Sequence, residues 1–419
     1  MRNRVHQEIF FISCLLLAFF LPVFPRILPS IIVMMTGNWL ISGTYLTTMP
    51  KIITEKWRLL TLSFTSLYLL YLIGMLYSTD FAYGWFDLEV KLSLFIFPVI
   101  FATSDLSNFD NSRLRIFFGS FLAGCMLGSL VLLGHAWIAN ERWGVPDAFY
   151  YTNLAWYFHS SYLSMYYSLG IGIALSSLAV DFSKQAAAKT TGLFLIILYL
   201  ETFIFLLSSK AGMLTLVMTE ALFILLLIYK RAGAARIFVV SVVFVAIFIG
   251  FSSVFPFAMK RISTADSAVS TSRSAQPDHY DGTTARMEIW KISVGLIKQN
   301  FMFGVGTGDV KNVLIEAYRQ HDLYPVVKKK LNAHNQYLQT FLTLGVFGFS
   351  LLVVLLLYPA CLSLRKGNFL YTLFILIFAV NILFESMLEA QAGVVFYAFF
   401  NALLFSKSVC DRPSVKVPS

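Results

Sequence analysis

Residues 328–338, KKKLNAHNQYL, end the one long polar stretch of an otherwise apolar chain and lead straight into the next apolar run. That stretch, Pro256–Asn335, is expected to separate nine membrane spans from three more. It opens on a loose polar run, STADSAVSTSRSAQPDHYDGTT (263–284), and then becomes patterned. In ARMEIWKISVGLIKQN (285–300) and just beyond, Met287, Trp290, Val294, Ile297 and Phe301 recur at three- and four-residue spacing, which is a helix with one apolar face. Such a helix lies on a membrane surface or packs on a bundle of spans. FGVGTGDV (303–310) breaks it, and Asp309 is placed to cap a second helix through Tyr318. Residues 262–283 carry few apolar anchors and are expected to be mobile.

Working outward, the composition demands a membrane. The 419 residues are 58% hydrophobic, 16% aromatic and only 13% charged, and their mean hydropathy is +0.73. That balance excludes an ordinary soluble globular protein. Runs long enough to span, at about 20 residues each, lie near 9–25, 28–47, 59–77, 92–103, 116–134, 158–180, 191–208, 212–229, 237–255, 337–360, 369–385 and 392–406. The expected fold is therefore an all-α integral membrane protein of about twelve helices. Its regions would be an N-terminal membrane part (1–255), an outer loop subdomain (256–336), and a C-terminal membrane part with a tail (337–419). The first apolar run is followed at once by another, with no small-residue cleavage site, so it reads as a retained span.

The net charge of +10 follows topology rather than nucleic acid. With the N-terminus inside, the inner loops hold seventeen basic residues and the short outer loops only Arg26, Lys91, Arg142 and Lys210. Both termini are then cytoplasmic and the long loop external. Cys14, Cys125, Cys361 and Cys410 lie in or beside spans without CxxC pairing, which favours neither disulfide nor metal.

Polar residues crowd the outer ends. His334, at the head of a span, has the side chain whose ordinary pKa suits proton transfer near neutrality, so it is a candidate base; an interfacial histidine bonded to a loop carbonyl is the structural alternative. Arg286 and Lys210, the latter in the tight turn LLSSKAGM (206–213), offer a planar fork and a point charge to a diphosphate leaving group. Alternatively, Arg286 pairs with a loop carboxylate and Lys210 snorkels. Asn335, Glu389 and Gln391 are accessory candidates, and Glu385 shares the last outer turn with the latter two. The alternate glycines 304, 306 and 308 fit either a phosphate-facing turn or a plain interhelical one, and Lys328–Lys330 either an anionic headgroup or solvent. No metal-ligand spacing is present, and no cofactor is called for.

These features together resemble the O-antigen ligase and O-antigen polymerase superfamily. The resemblance rests on the long outer loop before the last spans, on Arg-x-x-x-Trp leading into FGVGTGD, and on His-Asn-x-Tyr-Leu-Gln. LEVKLSLFIFPVI (88–100), FHSSYLSMYY (158–167) and ESMLEAQAGVVFY (385–397) look like segments of its ligase-like members. The resemblance implies a metal-independent, inverting glycosyltransferase of GT-C type in a bacterial inner membrane, with its site facing the periplasm. The donor would be a glycan on undecaprenyl diphosphate, and the acceptor a hydroxyl of lipid A-core. It further implies His334 as catalytic residue and Arg286 and Lys210 as diphosphate ligands, with Lys210 standing where the family usually has arginine. Polymerase and protein O-oligosaccharyltransferase share this architecture. A lipid-linked glycan transporter is the competing class, but it predicts ionisable residues deep in the spans.

Overall fold

The computed structural model describes residues 2–106, 109–180, 187–255 and 282–410. The polar run expected to be mobile, 262–283, lies outside the described residues except for its last two, which begin a helix. The described residues are 84% helical, with no strand among them. Among the described residues, eight helices are long and apolar enough to cross a membrane: Arg4–Val23, Lys56–Tyr77, Asn111–Trp143, Ser160–Ala179, Ala187–Leu207, Lys210–Tyr229, Ala234–Val254 and Gln336–Arg365. Phe369–Phe384 is a shorter apolar helix, and Leu28–Ser42, Ser93–Thr103 and Gln391–Cys410 account for the remaining apolar runs.

Ser160–Ala179 is the axis of the bundle: 83% of it is buried, against 6% of Ala234–Val254, whose apolar side chains face outward. Its hydrophilic residues explain the contrast. Ser164 and Ser168 return their hydroxyls to the helix carbonyls four residues back, and Ser168 also meets Thr215 Oγ1 at 3.2 Å. Small side chains let backbones approach where lipid supplies no hydrophobic drive between helices. Gly212 shows how close the approach is, because a Cβ there would collide with Ser164.

The loop helices dock on this bundle. Gly282–Gln299 packs along Gln336–Arg365, burying Ala285, Ile289, Ile292 and Ile297 in a small second core with Val310, Leu314 and Tyr318. The glycine turn then plugs a break in a long apolar helix. Gly345, at φ +65°, interrupts the helix Gln336–Arg365, which leaves carbonyls of the preceding turn without their helical donors. Val305 N–H donates to Leu342 O (2.8 Å) and Gly306 N–H to Thr343 O (3.0 Å), while Val346 N–H reaches Phe301 O (2.9 Å). Gly308 N–H bonds Ser78 Oγ and Thr307 Oγ1 bonds Tyr71 O.

Of the two readings of this turn, the interhelical one holds: its amides are spent on protein acceptors. Asp309 precedes the helix Val310–Gln320 but makes no side-chain cap for it. Its carboxylate instead accepts from Thr79 N, Thr79 Oγ1 and Asp80 N, fastening the turn to residues 230 positions earlier. Sequence spacing favoured the local cap, and the unpaired amides of 79–80 won the carboxylate.

Candidate functional site

At one end of the bundle, Ser160–Val180, Lys210–Tyr229 and Gln336–Arg365 begin and Phe369–Phe384 ends. The polar groups of four distant segments meet there. Residues 333–335 are held rigidly ahead of their span. Asn335 caps it, accepting from Leu338 N–H. Ala333 N–H donates to Gln339 Oε1 at 3.1 Å, and His334 N–H to Asn332 Oδ1 at 3.0 Å. His334 itself adopts φ +46°, a left-handed conformation that strains any residue with a Cβ. Trp290, one turn beyond Arg286 on the same helix face, donates its indole N–H to Ala333 O (3.1 Å) and so brings the arginine to this turn.

Glu385 is the centre of the cluster. It follows the helix Phe369–Phe384 in an extended conformation and is 5% exposed. His334 Nδ1 lies 2.8 Å from Glu385 Oε1, Arg286 Nη2 3.3 Å from Oε2, and His159 Nε2 3.6 Å from Oε2. Ser161 N–H donates to His159 Nδ1 at 3.3 Å, which puts that ring's proton on the nitrogen facing the carboxylate. Burial by itself would raise the pKa of Glu385. The hydrogen bond and charge of His334, with the charges of His159 and Arg286, override burial and hold it at about 2. The carboxylate is therefore ionised at any physiological pH, and His334 is fixed with Nδ1 toward it and Nε2 turned away.

Three bonds zip the histidine turn to the segment that carries Glu385. Asn335 N–H donates to Ser386 Oγ (3.2 Å), Leu388 N–H to Gln336 Oε1 (2.8 Å), and Gln336 Nε2 to Glu389 Oε1 (3.4 Å). Glu389 belongs to a second, deeper group. Its Oε1 is 3.0 Å from Lys91 Nζ; the fully buried lysine also pairs with Asp87 and lies 4.8 Å from the centre of the Tyr71 ring. One ammonium faces two carboxylates, and burial together with the charge of Glu389 pushes Asp87 up to about 7. Lys91, counted among outer-loop cations by sequence, is thus an interior ion.

Among the candidates read from sequence, Arg286 and His334 meet on one carboxylate. Arg286 does pair with a loop-end acid, and that acid is part of the cluster. Lys210 stands half-buried at the head of its helix, behind Ser209, whose hydroxyl reaches Ser161 Oγ at 3.4 Å; that seryl residue is the one bonded to His159. Asn335 acts through backbone capping, Glu389 through Lys91, and Gln391 opens the last helix. Sequence reasoning missed His159, which sits inside the quoted segment FHSSYLSMYY, and weighed Glu385 no more heavily than Glu389.

Such an arrangement defines a multi-pass, all-helical protein with a cation-rich polar site at one end of its bundle. Residues 193–353 match the family model described as O-antigen ligase, and that match supports the resemblance to the O-antigen ligase superfamily. The family is one of glycosyl-transferring enzymes. No curated protein matches the chain. The matched segment contains Lys210, Arg286, His334 and the glycine turn, whereas Glu385 and His159 lie beyond its two ends.

Proposed function

We propose that this protein is a metal-independent, inverting glycosyltransferase of GT-C type that moves a glycan from undecaprenyl diphosphate to a sugar hydroxyl of lipid A-core at the periplasmic face. The observation that carries the reading is the His334–Glu385–Arg286 constellation within a chain matching the O-antigen ligase family. His334 serves as base. Its Nδ1–H donates to Glu385, so the Nε2 lone pair is available to an acceptor O–H, and the carboxylate stabilises the imidazolium that forms. The acceptor oxygen bonds to the anomeric carbon as the bond from that carbon to the diphosphate oxygen breaks on the opposite face. The diphosphate leaves with the electron pair, and the proton passes to Nε2.

Arg286 and Lys210 bind the diphosphate and stabilise its growing charge. The 3.3 Å contact of Arg286 with Glu385 is long for a charge-assisted bond, so the fork keeps donors for phosphate oxygens. Both termini lie in the cytoplasm, which leaves the cluster on the outer side of a bacterial inner membrane. Division into a membrane region (1–255), a loop subdomain (256–336) and a second membrane region (337–419) accompanies this reading.

The test is reconstitution with a labelled glycan on undecaprenyl diphosphate, lipid A-core and a chelator. Label on lipid A-core, lost in His334→Ala and Arg286→Ala, supports the ligase reading. Label only in longer carrier-linked glycan makes the protein a polymerase, and label on neither product, with protein acceptors also inert, rejects glycan transfer.

A further inference from the structure

Behind the histidine turn lies a cavity of about 170 Å³ that the chemistry above does not use. Its polar lining is Tyr83, Lys311, Lys330, Asn332, Gln339 and Glu389. We propose that this cavity binds one saccharide unit bearing an anionic substituent, a carboxylate or a phosphate, of the glycan being joined. The proposal deepens the glycan-transfer reading and rests on it for the saccharide.

The donor count points to the anion. Asn332 Oδ1 is occupied by His334 N–H and Gln339 Oε1 by Ala333 N–H, so each amide must present its NH2. Neither NH2 has a hydrogen-bond partner among the described residues. Lys311 Nζ is held 4.9 Å from the centre of the Tyr83 ring, at the wall rather than free in solvent. Two lysines and two amide side chains therefore line one cavity, with Glu389 the single carboxylate, paired to Lys91 at 3.0 Å, which it shares with Asp87. A ligand rich in acceptors satisfies that set, and its hydroxyls satisfy Glu389.

Size restricts the ligand to one ring, since pockets for larger ligands begin near ~300 Å³. Backbone strain points the same way. Lys330 ends the helix Tyr324–Lys329 at φ +49°, where glycine is the usual residue, and His334 repeats the left-handed conformation four residues on. Strain at both ends of one short segment is typical of residues kept for their side chains. Asn332 couples the cavity to the reaction centre, since the same side chain lines one and holds the backbone of the other.

Saturation-transfer NMR on the purified full chain in lipid nanodiscs tests this with galacturonic acid, glucose 6-phosphate, glucose and inorganic phosphate as probes. At least one anionic sugar should bind about tenfold or more tighter than glucose or phosphate alone, and which of the two binds identifies the substituent. Lys311→Gln should weaken it by roughly fivefold or more, the scale of one lost charge-assisted bond. Lys330→Asn should weaken it equally while raising the thermal midpoint, because asparagine tolerates the left-handed backbone. His334→Ala should leave binding unchanged. Equal binding of glucose, phosphate binding as tight as the sugar phosphate, no binding of either anionic sugar, or no effect of both lysine substitutions would each overturn the proposal. Because binding is read without turnover, failure of the transferase reading appears separately, as sugar binding without glycan transfer.

Discussion

Replacing Glu385 by Gln removes the charge at the centre of the site while keeping its shape. The carboxylate is held at about 2 against an ordinary 4.5, and that difference corresponds to ~3 kcal/mol net, the attraction of its cationic neighbours less the cost of burial. His334, 2.8 Å away, takes the first share of it. If His334 is the base, its imidazolium forms in the transition state and loses that support in Glu385→Gln. The expected fall in transfer rate is roughly 10²–10³-fold, equivalent to ~3–4 kcal/mol.

Initial rates of label transfer from undecaprenyl diphosphate, with donor and acceptor saturating, measure it in the reconstituted system. The double variant decides the mechanism. Groups that act as one unit are strongly non-additive, so Glu385→Gln combined with His334→Ala should be no slower than about threefold below His334→Ala alone. Multiplying losses, or a single Glu385→Gln variant within about threefold of wild type, would refute the coupling of these two residues.

Arg286→Ala should raise the donor KM by roughly 10–100-fold, and Arg286→Lys should fail to restore it, since a point charge lacks the fork; donor titrations read both. Because Glu385 is depressed on folding, it stabilises the fold fully above about pH 4.5 and loses that contribution as pH falls toward 2. Thermal unfolding of wild type and Glu385→Gln in detergent should therefore differ by up to ~3 kcal/mol at pH 6 and converge near pH 2. Lys91→Met strands Asp87 and Glu389 without their cation and should cost roughly 3–5 kcal/mol, whereas Asp87→Asn, which removes an acid already pushed up to about 7, should cost little at pH 8; the same melts compare them. Gly345→Ala places a Cβ against the Met302 carbonyl at φ +65° and should destabilise by roughly 2–4 kcal/mol, seen as loss of folded protein on size exclusion.

The membrane character and the helix carrying Arg286 were legible because hydropathy and a three-to-four spacing are local signals. His334 was legible for a similar reason: a lone histidine at the head of a span stands out in an apolar chain. The partners were not. Glu385 is separated from Arg286 by 99 residues and from His334 by 51, and nothing local distinguishes it from Glu389, which turned instead to Lys91. His159 sits among aromatic and seryl residues that pattern as ordinary span, so only its position at the head of the central helix reveals it. The glycine turn was ambiguous for a physical reason: an amide-rich turn suits a phosphate and a broken helix equally, and the break at Gly345 does not show in hydropathy.

The charge balance of the cluster argues for an anionic guest. Around the single ionised carboxylate of Glu385 stand Arg286 and two histidines, with Lys210 on the neighbouring turn. The single long contact of Arg286 with Glu385 leaves guanidinium donors for another acceptor, and a half-buried cation of that kind favours an arriving anion. In the proposed reaction a diphosphate would supply that anion and draw the guanidinium off Oε2, leaving Glu385 to His334 and His159. On that proposal donor binding would strengthen the His334–Glu385 hydrogen bond, so the base would be best prepared when the leaving group is in place.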